Sequence, residues 1–334
     1  MKTFLQILKF LGLGVLVLIL VVVGILEWNR FQWKKNLVNT SFGQEVLSEE
    51  VNLEQYKPFA SNNLLVKVSP TSQPKFTVND APRLDGATAA YPVYAAAAQA
   101  LYTPEAALKT IKVSKTPEAY ERLIRGEVDI IFVAQASNTH QKMAADNNVK
   151  LKLTPIGKEA FVFLVSQQNP LRTLTAQQIR DIYSGRVKQW NELGGSGEEI
   201  MAFQRPENSG SQTVMLAKVM QNEKMRTPLQ EERVQGMGGA VKRIAAYRNA
   251  SQSIGYSFRY YATRMQNTTA IKLLAVDGIA PTAENIRNGT YPFTVDVFMV
   301  TAGELKPATR KLMDWMLSKP GQKLIEDTGY VPLR

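Results

Sequence analysis

The chain has 334 residues, enough for one large hydrophobic core or two of ordinary size. It contains no cysteine, which excludes disulfides, thiolate metal sites and a lipid-bearing cysteine. Its net charge of +11 favours anionic ligands or surfaces, but the basic residues are spread out without basic runs or interleaved aromatics, so we do not expect nucleic-acid binding.

An apolar segment lies near the N-terminus. It runs without interruption over Leu11–Leu26 and is extended by Phe10, close to the lower limit of ~17–25 residues for a membrane-spanning helix. No small-residue cleavage site follows it, and the tryptophans just beyond it are suited to a membrane interface. We therefore expect an uncleaved transmembrane anchor at residues 10–27, within an anchor region of residues 1–35. A removed signal peptide is the alternative.

Residues 36–80 mix polar stretches with short apolar segments. This pattern predicts a linker or extension, in which residues 64–68 are available as an extra strand against the main body. From Pro82 onward, strand-like runs alternate with helix-like runs, which predicts an α/β sandwich with largely parallel sheets. The predicted strands are 111–113, 129–134, 151–154, 161–165, 200–203, 253–258, 271–275 and 295–301. The predicted helices are 92–102, 117–125, 175–183, 209–220, 239–248 and 307–317.

Two turns carry hydroxyl groups and glycine just before a predicted helix. The first, residues 84–92, reads Leu-Asp-Gly-Ala-Thr-Ala-Ala-Tyr-Pro, and its proline is suited to a first helical turn. The second, residues 203–213, reads Phe-Gln-Arg-Pro-Glu-Asn-Ser-Gly-Ser-Gln-Thr; Gly210 lets a ligand approach the backbone, and Arg205 offers a planar donor fork. Because unpaired N–H groups at a helix start attract anions, the two turns together predict an anion site. Each turn alone is also consistent with ordinary helix capping.

These segments resemble the PstS-type phosphate-binding subunits of ABC importers, which belong to the periplasmic binding protein superfamily. The resemblance runs from about Pro82 to Arg334 and rests on several motifs in the family's order. They are Asp-Gly-Ala-Thr-Ala-Ala-Tyr-Pro-Val-Tyr at 85–94, Thr-Pro-Ile-Gly-Lys-Glu-Ala-Phe-Val-Phe at 154–163, Ile-Tyr-Ser-Gly at 182–185 with Trp190 and Asn191, Phe-Gln-Arg at 203–205 with Ser-Gly-Ser at 209–211, and Ile-Gly-Tyr at 254–256.

The resemblance implies the two-lobed periplasmic-binding-protein fold of type II, here with an N-terminal transmembrane helix. Lobe 1 would comprise residues 81–162 and 293–334, and lobe 2 residues 163–292. The ligand would lie in the cleft where strand ends and helix starts of both lobes meet.

The resemblance also implies which residues contact phosphate. Hydroxyls and amides would replace the hydrogen bonds that a buried oxyanion loses from water, and a guanidinium would supply charge. The local match is loose at Thr116, for which Ser114 is the alternative. The expected ligand-binding residues are Thr88, the backbone of Ala89, Thr116, Arg205, Ser209, Gly210 and Ser211.

One position departs from the family. Its phosphate receptors place an aspartate after the strand found here at residues 129–134, where it accepts the proton of hydrogen phosphate and so rejects sulfate. Here the segment continues Ala-Gln-Ala-Ser-Asn at residues 134–138, with no acid at the matching position, and Gln135 or Ser137 is the weaker oxygen acceptor. Phosphate is the expected ligand, while its selection over sulfate or another oxyanion stays open. Three other acidic residues, Asp85, Glu207 and Asp296, are also candidates to accept this proton if they reach the cleft.

The sequence offers little for catalysis. His140 is the only histidine, which, together with the lack of cysteine, excludes the usual His/Cys zinc clusters and makes a Ser–His–Asp triad depend on one residue. Neither a GxxxxGK[ST] phosphate loop nor HExxH occurs. We therefore expect a protein that is not an enzyme and that uses no cofactor or metal.

The expected function is that of a membrane-anchored extracytoplasmic solute-binding protein, which captures inorganic phosphate between its lobes and delivers it to an ABC permease. The expected partners are phosphate or a similar oxyanion, the permease subunits and the membrane. The family resemblance, rather than the nearly balanced charges around the anchor, places the folded part outside the cytoplasm. The alternative is an anion sensor without transport, or a protein-interaction module of the same fold.

Overall fold

The computed structural model describes residues 22–25, 27–28, 51–68, 75–221, 223–234, 236–246, 250–266 and 268–333. The chain divides into a smaller unit, Met1–Val46 with Ala246–Asn249, and a larger unit, Leu47–Ala245 with Ala250–Arg334. Near the N-terminus, the described residues 22–25 and 27–28 are helical. Within the described ranges, no helix combines the length and apolar character needed to cross a bilayer. The anchor predicted at 10–27 lies mostly outside these ranges and stays a prediction.

The larger unit is built from short helices and strands. Its strands are β1 (Leu84–Gly86), β2 (Ile130–Val133), β3 (Leu151–Ser166), β4 (Thr173–Leu174), β5 (Met201–Ala202), β6 (Ser253–Phe258), β7 (Ile271–Leu273), β8 (Ala275–Val276), β9 (Thr294–Ala302) and β10 (Val331–Pro332). Its helices are α1 (Tyr91–Leu101), α2 (Pro104–Thr110), α3 (Lys115–Ile124), α4 (Asn138–Asp146), α5 (Ala176–Ser184), α6 (Gly210–Val214), α7 (Met237–Ala246), α8 (Ala283–Arg287), α9 (Pro307–Leu317) and α10 (Lys319–Thr328). Helix α6 continues as a wider π-helical turn over Met215–Met220.

Strand β3 joins two groups of strands. Its first part pairs antiparallel with β9 and β10, and its last part pairs antiparallel with β6 and β7. The changeover falls between Ala160, opposite Thr294 of β9, and Phe161, opposite Phe258 of β6. Along the sheet the strand order is β1-β2-β9-β3-β6-β5. The lobe boundaries predicted near residues 162 and 293 stay a prediction.

The prediction of largely parallel sheets is wrong. Strands β1 and β2, β4 and β8, and β5 and β6 pair in parallel, but every partner of β3 is antiparallel to it. Alternating strand-like and helix-like runs do not reveal that one long strand serves both halves, so its neighbours return against it. For the same reason the separately predicted strands 151–154 and 161–165 are parts of β3.

Some smaller predictions also change. The strand expected at 111–113 is wrong, because Ile111 forms only an isolated bridge with Leu84. The extra strand expected at 64–68 does not form, although Leu65 is buried against the main body. Helix α10, which is not among the predicted helices, follows α9 after Ser318 and has Pro320 in its first turn.

Local sequence explains how closely β1 packs against β2 and where the first helix begins. All four residues of β2 are buried, and β1 lies beside it in parallel register. A Cβ atom on Gly86 would come 2.4 Å from the carbonyl oxygen of Phe132, so only glycine fits there. The alanine-rich helix α1 then starts with Pro92 in its first turn and packs into the core. This packing fixes the position of the turn between β1 and α1.

Candidate functional site

The two turns predicted to bind an anion border one small cavity. Its volume is about 120 Å³. We call it the hydroxyl-lined cavity. It is lined by Ala87, Thr88, Lys115, Thr116, Pro117, Arg205, Pro206, Glu207, Ser209, Gly210, Ser211 and Met237. All of the predicted contact residues except Ala89 are in this lining.

The turn after β1 contributes Thr88. This buried residue opens a single 3₁₀ turn, Thr88–Ala90, directly before α1. Ala89 is also buried but does not line the cavity. Its carbonyl oxygen accepts a 2.6 Å hydrogen bond from the hydroxyl of Tyr330 near the C-terminus. The structure therefore brings the threonine to the cavity and ties the following residue to the C-terminal segment.

Ser114 and Thr116, the two alternatives at the loosely matched position, have different surroundings. The Ser114 hydroxyl donates to Oδ2 of Asp85 over 2.7 Å, and the Ser114 backbone N–H donates to Oδ1 over 2.8 Å. Thr116, two residues later and buried in α3, lines the cavity instead. Sequence alone left this open because Asp85 lies in a distant segment of the chain.

Each of the two helix starts at the cavity is adjacent to a residue with left-handed backbone. Lys115 has φ 71° immediately before Thr116, and Asn208 has φ 68° immediately before Ser209. Asparagine tolerates this conformation, whereas lysine adopts it at a cost that the surrounding structure must offset. Lys115 also lines the cavity, although the sequence did not point to it. Its position in the sequence, between the two candidate hydroxyl residues Ser114 and Thr116, could have marked it as a residue of the cavity.

The serines of the second turn have different surroundings. Ser209 caps α6, because its hydroxyl oxygen accepts a 3.3 Å hydrogen bond from the N–H of Gln212. The hydroxyl of Ser211 is buried and has no hydrogen-bond partner among the described residues. Because a buried hydroxyl without a partner is costly, the Ser211 hydroxyl is an unused donor in a residue that lines the cavity.

Arg205 is held to the same turn through Tyr256 of β6. The Arg205 backbone N–H donates to the Tyr256 hydroxyl over 3.0 Å, and that hydroxyl donates in turn to Oε1 of Gln212. Burial raises the pKa of Tyr256, and the nearby arginine opposes this only in part, so the phenol stays protonated and remains a donor. The Arg205 Nη1 also donates to the carbonyl of Val234 over 3.2 Å. These bonds hold both the backbone and the guanidinium group of Arg205 in place beside the cavity.

One of the acidic residues considered from the sequence lines the cavity. Glu207 does so from the second turn. Asp85 is fully buried against Arg122 and is not part of the lining. Asp296 is exposed on β9 and is also absent from the lining. The sequence could not rank these three carboxylates.

Gln135 and Ser137 lie at a second, larger cavity of about 730 Å³. Its lining is rich in amide and hydroxyl side chains, and Glu207 is the residue that it shares with the hydroxyl-lined cavity. The two substitutes for the missing aspartate are therefore not in the lining of the smaller cavity. The full lining is Gln135, Ala136, Ser137, Asn138, Thr139, Gln141, Leu151, Leu153, Glu207, Asn208, Thr213, Leu216, Ala217 and Gln221.

Ser137 is also engaged with the histidine. Its hydroxyl oxygen accepts the backbone N–H of His140 over 3.2 Å, capping α4, and lies 2.9 Å from Nδ1 of the same residue. Burial lowers the pKa of His140, partly opposed by Glu121, and its ring stacks on Tyr120. With the imidazole neutral, we assign the hydroxyl hydrogen of Ser137 to Nδ1. This arrangement caps a helix and packs a core.

The chain is similar in sequence to phosphate-binding proteins of several bacteria. A family model described as a PBP superfamily domain matches residues 71–320. The phosphate-binding protein PstS of Bacillus subtilis (strain 168) is 24% identical over 260 residues, which cover 75% of this chain and 80% of that protein. The PstS of Pseudomonas aeruginosa (strain PAO1) is 28% identical over 196 residues, covering 54% of this chain and 59% of that protein.

Among solved structures, a substrate-binding protein of Clostridium perfringens with bound phosphate aligns with a TM-score of 0.60 at 21% identity, covering 79% of this chain and all of that one. At this identity the likeness concerns the fold alone. It confirms the two-lobed α/β architecture expected from the motifs. The family model and the sequence relatives confirm the expected resemblance to PstS-type proteins.

Proposed function

Since this chain belongs to the PBP superfamily, we propose that it captures inorganic phosphate in the hydroxyl-lined cavity. The proposal is supported by its relatives, which include phosphate-binding proteins from several bacteria. In the chain itself, the observation that carries it is the convergence of Thr88, Thr116, Ser211 and Arg205 on one small cavity. These side chains offer three hydroxyl donors and one guanidinium, the groups a desolvated oxyanion requires.

The charge balance at the cavity suits a small anion. Arg205 and Lys115 bring positive charge, and Glu207 brings one negative charge. A divalent oxyanion meets a donor-rich wall there, whereas an apolar solute would leave the Ser211 hydroxyl without a hydrogen-bond acceptor. Glu207 is in a position to distinguish a protonated oxyanion, which can donate to a carboxylate, from one without a proton.

Calorimetric titration of the full-length chain in detergent micelles tests this function. We expect saturable one-to-one binding of phosphate, with sulfate titrated at matched ionic strength as the comparison. Binding of neither ion would remove the receptor function and favour a sensor or scaffold of the same fold. Competitive binding of sulfate with similar affinity would keep the anion site but remove its selectivity.

The transport role is a second part of the proposal. The captured phosphate would pass to an ABC permease, in line with the solved structure of an ABC-type phosphate transport receptor from Vibrio cholerae, which shares the fold at TM-score 0.56 and 17% identity. Uptake of radiolabelled phosphate by cells with and without the gene measures this role. Normal uptake at low phosphate concentration without the gene would contradict it.

Residues 10–27 would hold the folded part at the outer face of the cell membrane, and the protein would act without catalysis. The support is the uninterrupted apolar sequence and the solute-binding nature of the relatives. Carbonate extraction of membranes distinguishes an integral anchor, which stays in the pellet, from a removed signal, which releases the protein. Protease added to intact spheroplasts should degrade the folded part.

A further inference from the structure

We propose that Asp85 is a positioning residue for the hydroxyl-lined cavity: its buried carboxylate holds the turn that carries Thr88 and the helix start that carries Thr116 in one fixed relation. The tests of this proposal that measure phosphate binding rest on the proposed function. Asp85 does not line the cavity itself, so its influence on a bound anion must pass through the residues it holds.

The geometry at Asp85 connects two distant segments. Its Oδ1 accepts the backbone N–H groups of Gly86 and Ser114, both over 2.8 Å. Its Oδ2 accepts the Ser114 hydroxyl over 2.7 Å and a hydrogen bond from Nη1 of Arg122. Thr88 follows two residues after Gly86, and Thr116 follows two residues after Ser114. One carboxylate therefore sets the distance between the backbones that present both threonines.

The carboxylate is bound too completely to be a ligand group. Asp85 is fully buried, and four donors surround its two oxygens. Its charge is balanced by Arg122, which is also buried and donates from Nε to Glu127 over 3.1 Å. A buried charge must keep such partners, so this pair resists movement of either segment. Arg122 lies on α3, so its ion pair with Asp85 also ties the body of that helix to β1.

The backbone conformation of Lys115, next to Ser114, shows the effect of the hydrogen bonds to Asp85. Lys115 has the left-handed conformation, which is unfavourable for a residue with a side chain, and it lies between Ser114 and Thr116. Such a conformation persists where the surrounding structure fixes both sides. Asp85 fixes Ser114 on one side, and helix α3 fixes Thr116 on the other. The turn at Lys115 then brings Thr116 to the cavity while Ser114 faces the carboxylate.

The test compares Asp85→Asn with Asp129→Asn in the full-length chain. Asp129 is the matched control, because it directly precedes β2 and is ion-paired with Arg83 and Lys306. Its carboxylate also accepts the backbone N–H of Arg83 ahead of β1, but none of its hydrogen bonds in the described structure reaches residues 86–89 or 114–117. We expect Asp85→Asn to weaken phosphate binding about 10- to 100-fold, as for lost hydrogen bonds to a charged group, and Asp129→Asn to leave it unchanged. Equal weakening by both variants would show a general stability effect and overturn the proposal.

A double-mutant cycle with Thr116→Val separates positioning from general damage. If Asp85 acts through Thr116, Asp85→Asn will weaken phosphate binding much less in the Thr116→Val background than in the wild type. Full additivity of the two changes would contradict the proposal. Should Asp85→Asn fail to fold, Ser114→Ala replaces it, since it removes one donor and leaves the Asp85–Arg122 pair intact. For that variant we expect a several-fold loss of affinity, and unchanged affinity would count against the proposal.

Hydrogen–deuterium exchange supplies a readout that needs no ligand. We expect Asp85→Asn, but not Asp129→Asn, to speed exchange of the amides in residues 86–89 and 114–117 in the ligand-free protein. If the wild type binds no phosphate, the proposed function fails while this comparison still decides the role of Asp85. Unchanged exchange in both segments would overturn it. If Ser114→Ala has replaced Asp85→Asn, its exchange is compared in the same way.

Discussion

The backbone of Gly210 lies directly against the side chain of Thr116. A Cβ atom on Gly210 would come 2.8 Å from the Oγ1 of Thr116, closer than such atoms approach in real structures. The two residues belong to the two segments that border the hydroxyl-lined cavity. The absence of a side chain at position 210 is therefore a condition for the threonine to keep its place, and this contact leads to the first prediction.

Gly210→Ala should weaken phosphate binding by at least about 10-fold while the protein stays folded, because the added methyl group displaces the Thr116 hydroxyl. Calorimetric titration measures the affinity and circular dichroism the fold. The control is Gly239→Ala in α7, where a Cβ would meet Val234 at an ordinary 3.7 Å. That variant should bind like the wild type and be slightly more stable, since alanine favours a helix. Wild-type affinity in Gly210→Ala would mean that the contact has no role in binding.

Arg205→Ala should abolish measurable phosphate binding, because it removes the guanidinium that lines the cavity. The matched control is Arg233→Ala, which changes the net charge equally at an exposed position outside the lining. Titration at two salt concentrations separates a local contact from a general field, which salt screens. Similar losses in both variants would show that only the overall charge matters.

Ser211→Ala should weaken phosphate binding by about 1–3 kcal/mol and leave the unliganded protein as stable as before, or slightly more stable. The reason is that the buried Ser211 hydroxyl has no partner among the described residues until a ligand arrives. Ser257→Ala is the control, because that hydroxyl in β6 is also buried without a partner in the described structure but lies outside the lining. Titration and urea unfolding give the two quantities. Loss of stability without loss of affinity in Ser211→Ala would contradict the assignment.

Glu207→Gln should reduce the preference for phosphate over sulfate. A carboxylate at the cavity accepts a proton from hydrogen phosphate and repels an oxyanion without one, whereas an amide can donate to either. We expect the ratio of the two affinities to fall about 10-fold, as measured by competitive titration. The exposed Glu199→Gln, which lines neither described cavity, is the control. An unchanged ratio would mean that Glu207 does not accept the proton of hydrogen phosphate. The amide and hydroxyl groups after Ala134 would then be the next candidates for that acceptor.

Stability in acid should depend on Asp129. Burial raises the pKa of this carboxyl, but hydrogen bonds from Arg83 and Lys306 outweigh burial and hold the pKa at about 2. Because this is below the unfolded value of about 4, the stabilisation is present above pH ~4 and is lost as the pH falls to about 2. Allowing for screening at the exposed partners, Asp129→Asn should cost on the order of 1–2 kcal/mol at pH 7.

The same variant should lose less stability than the wild type between pH 4 and 2. Urea unfolding at pH 7, 4 and 2 measures both differences. Two parallel profiles, separated by the same free energy at every pH, would show that Asp129 is not a group whose ionisation stabilises the fold.

How far sequence reasoning reaches is shown by Ser209 and Thr116. The helix start at Ser209 was predictable, because capping depends on hydroxyl and amide groups a few residues apart. The strand at Ser253–Phe258 and the helix at Pro307–Leu317 were also predicted with their observed bounds, from the local pattern of residue types. Thr116 could not be separated from Ser114, because the choice depends on the Asp85 carboxylate from another strand.

The sequence by itself determined that hydroxyl-bearing turns and an arginine stand before helices in an α/β chain, since residue types, spacing and capping act over short distances. Only the tertiary structure decided that Glu207 reaches the cavity while Asp85 is held by Arg122. It also decided that Gln135 faces another cavity and that β3 pairs antiparallel with its neighbours on both sides. These outcomes depend on contacts between segments far apart in the chain, and a buried charge or a close backbone contact is fixed only where such segments meet.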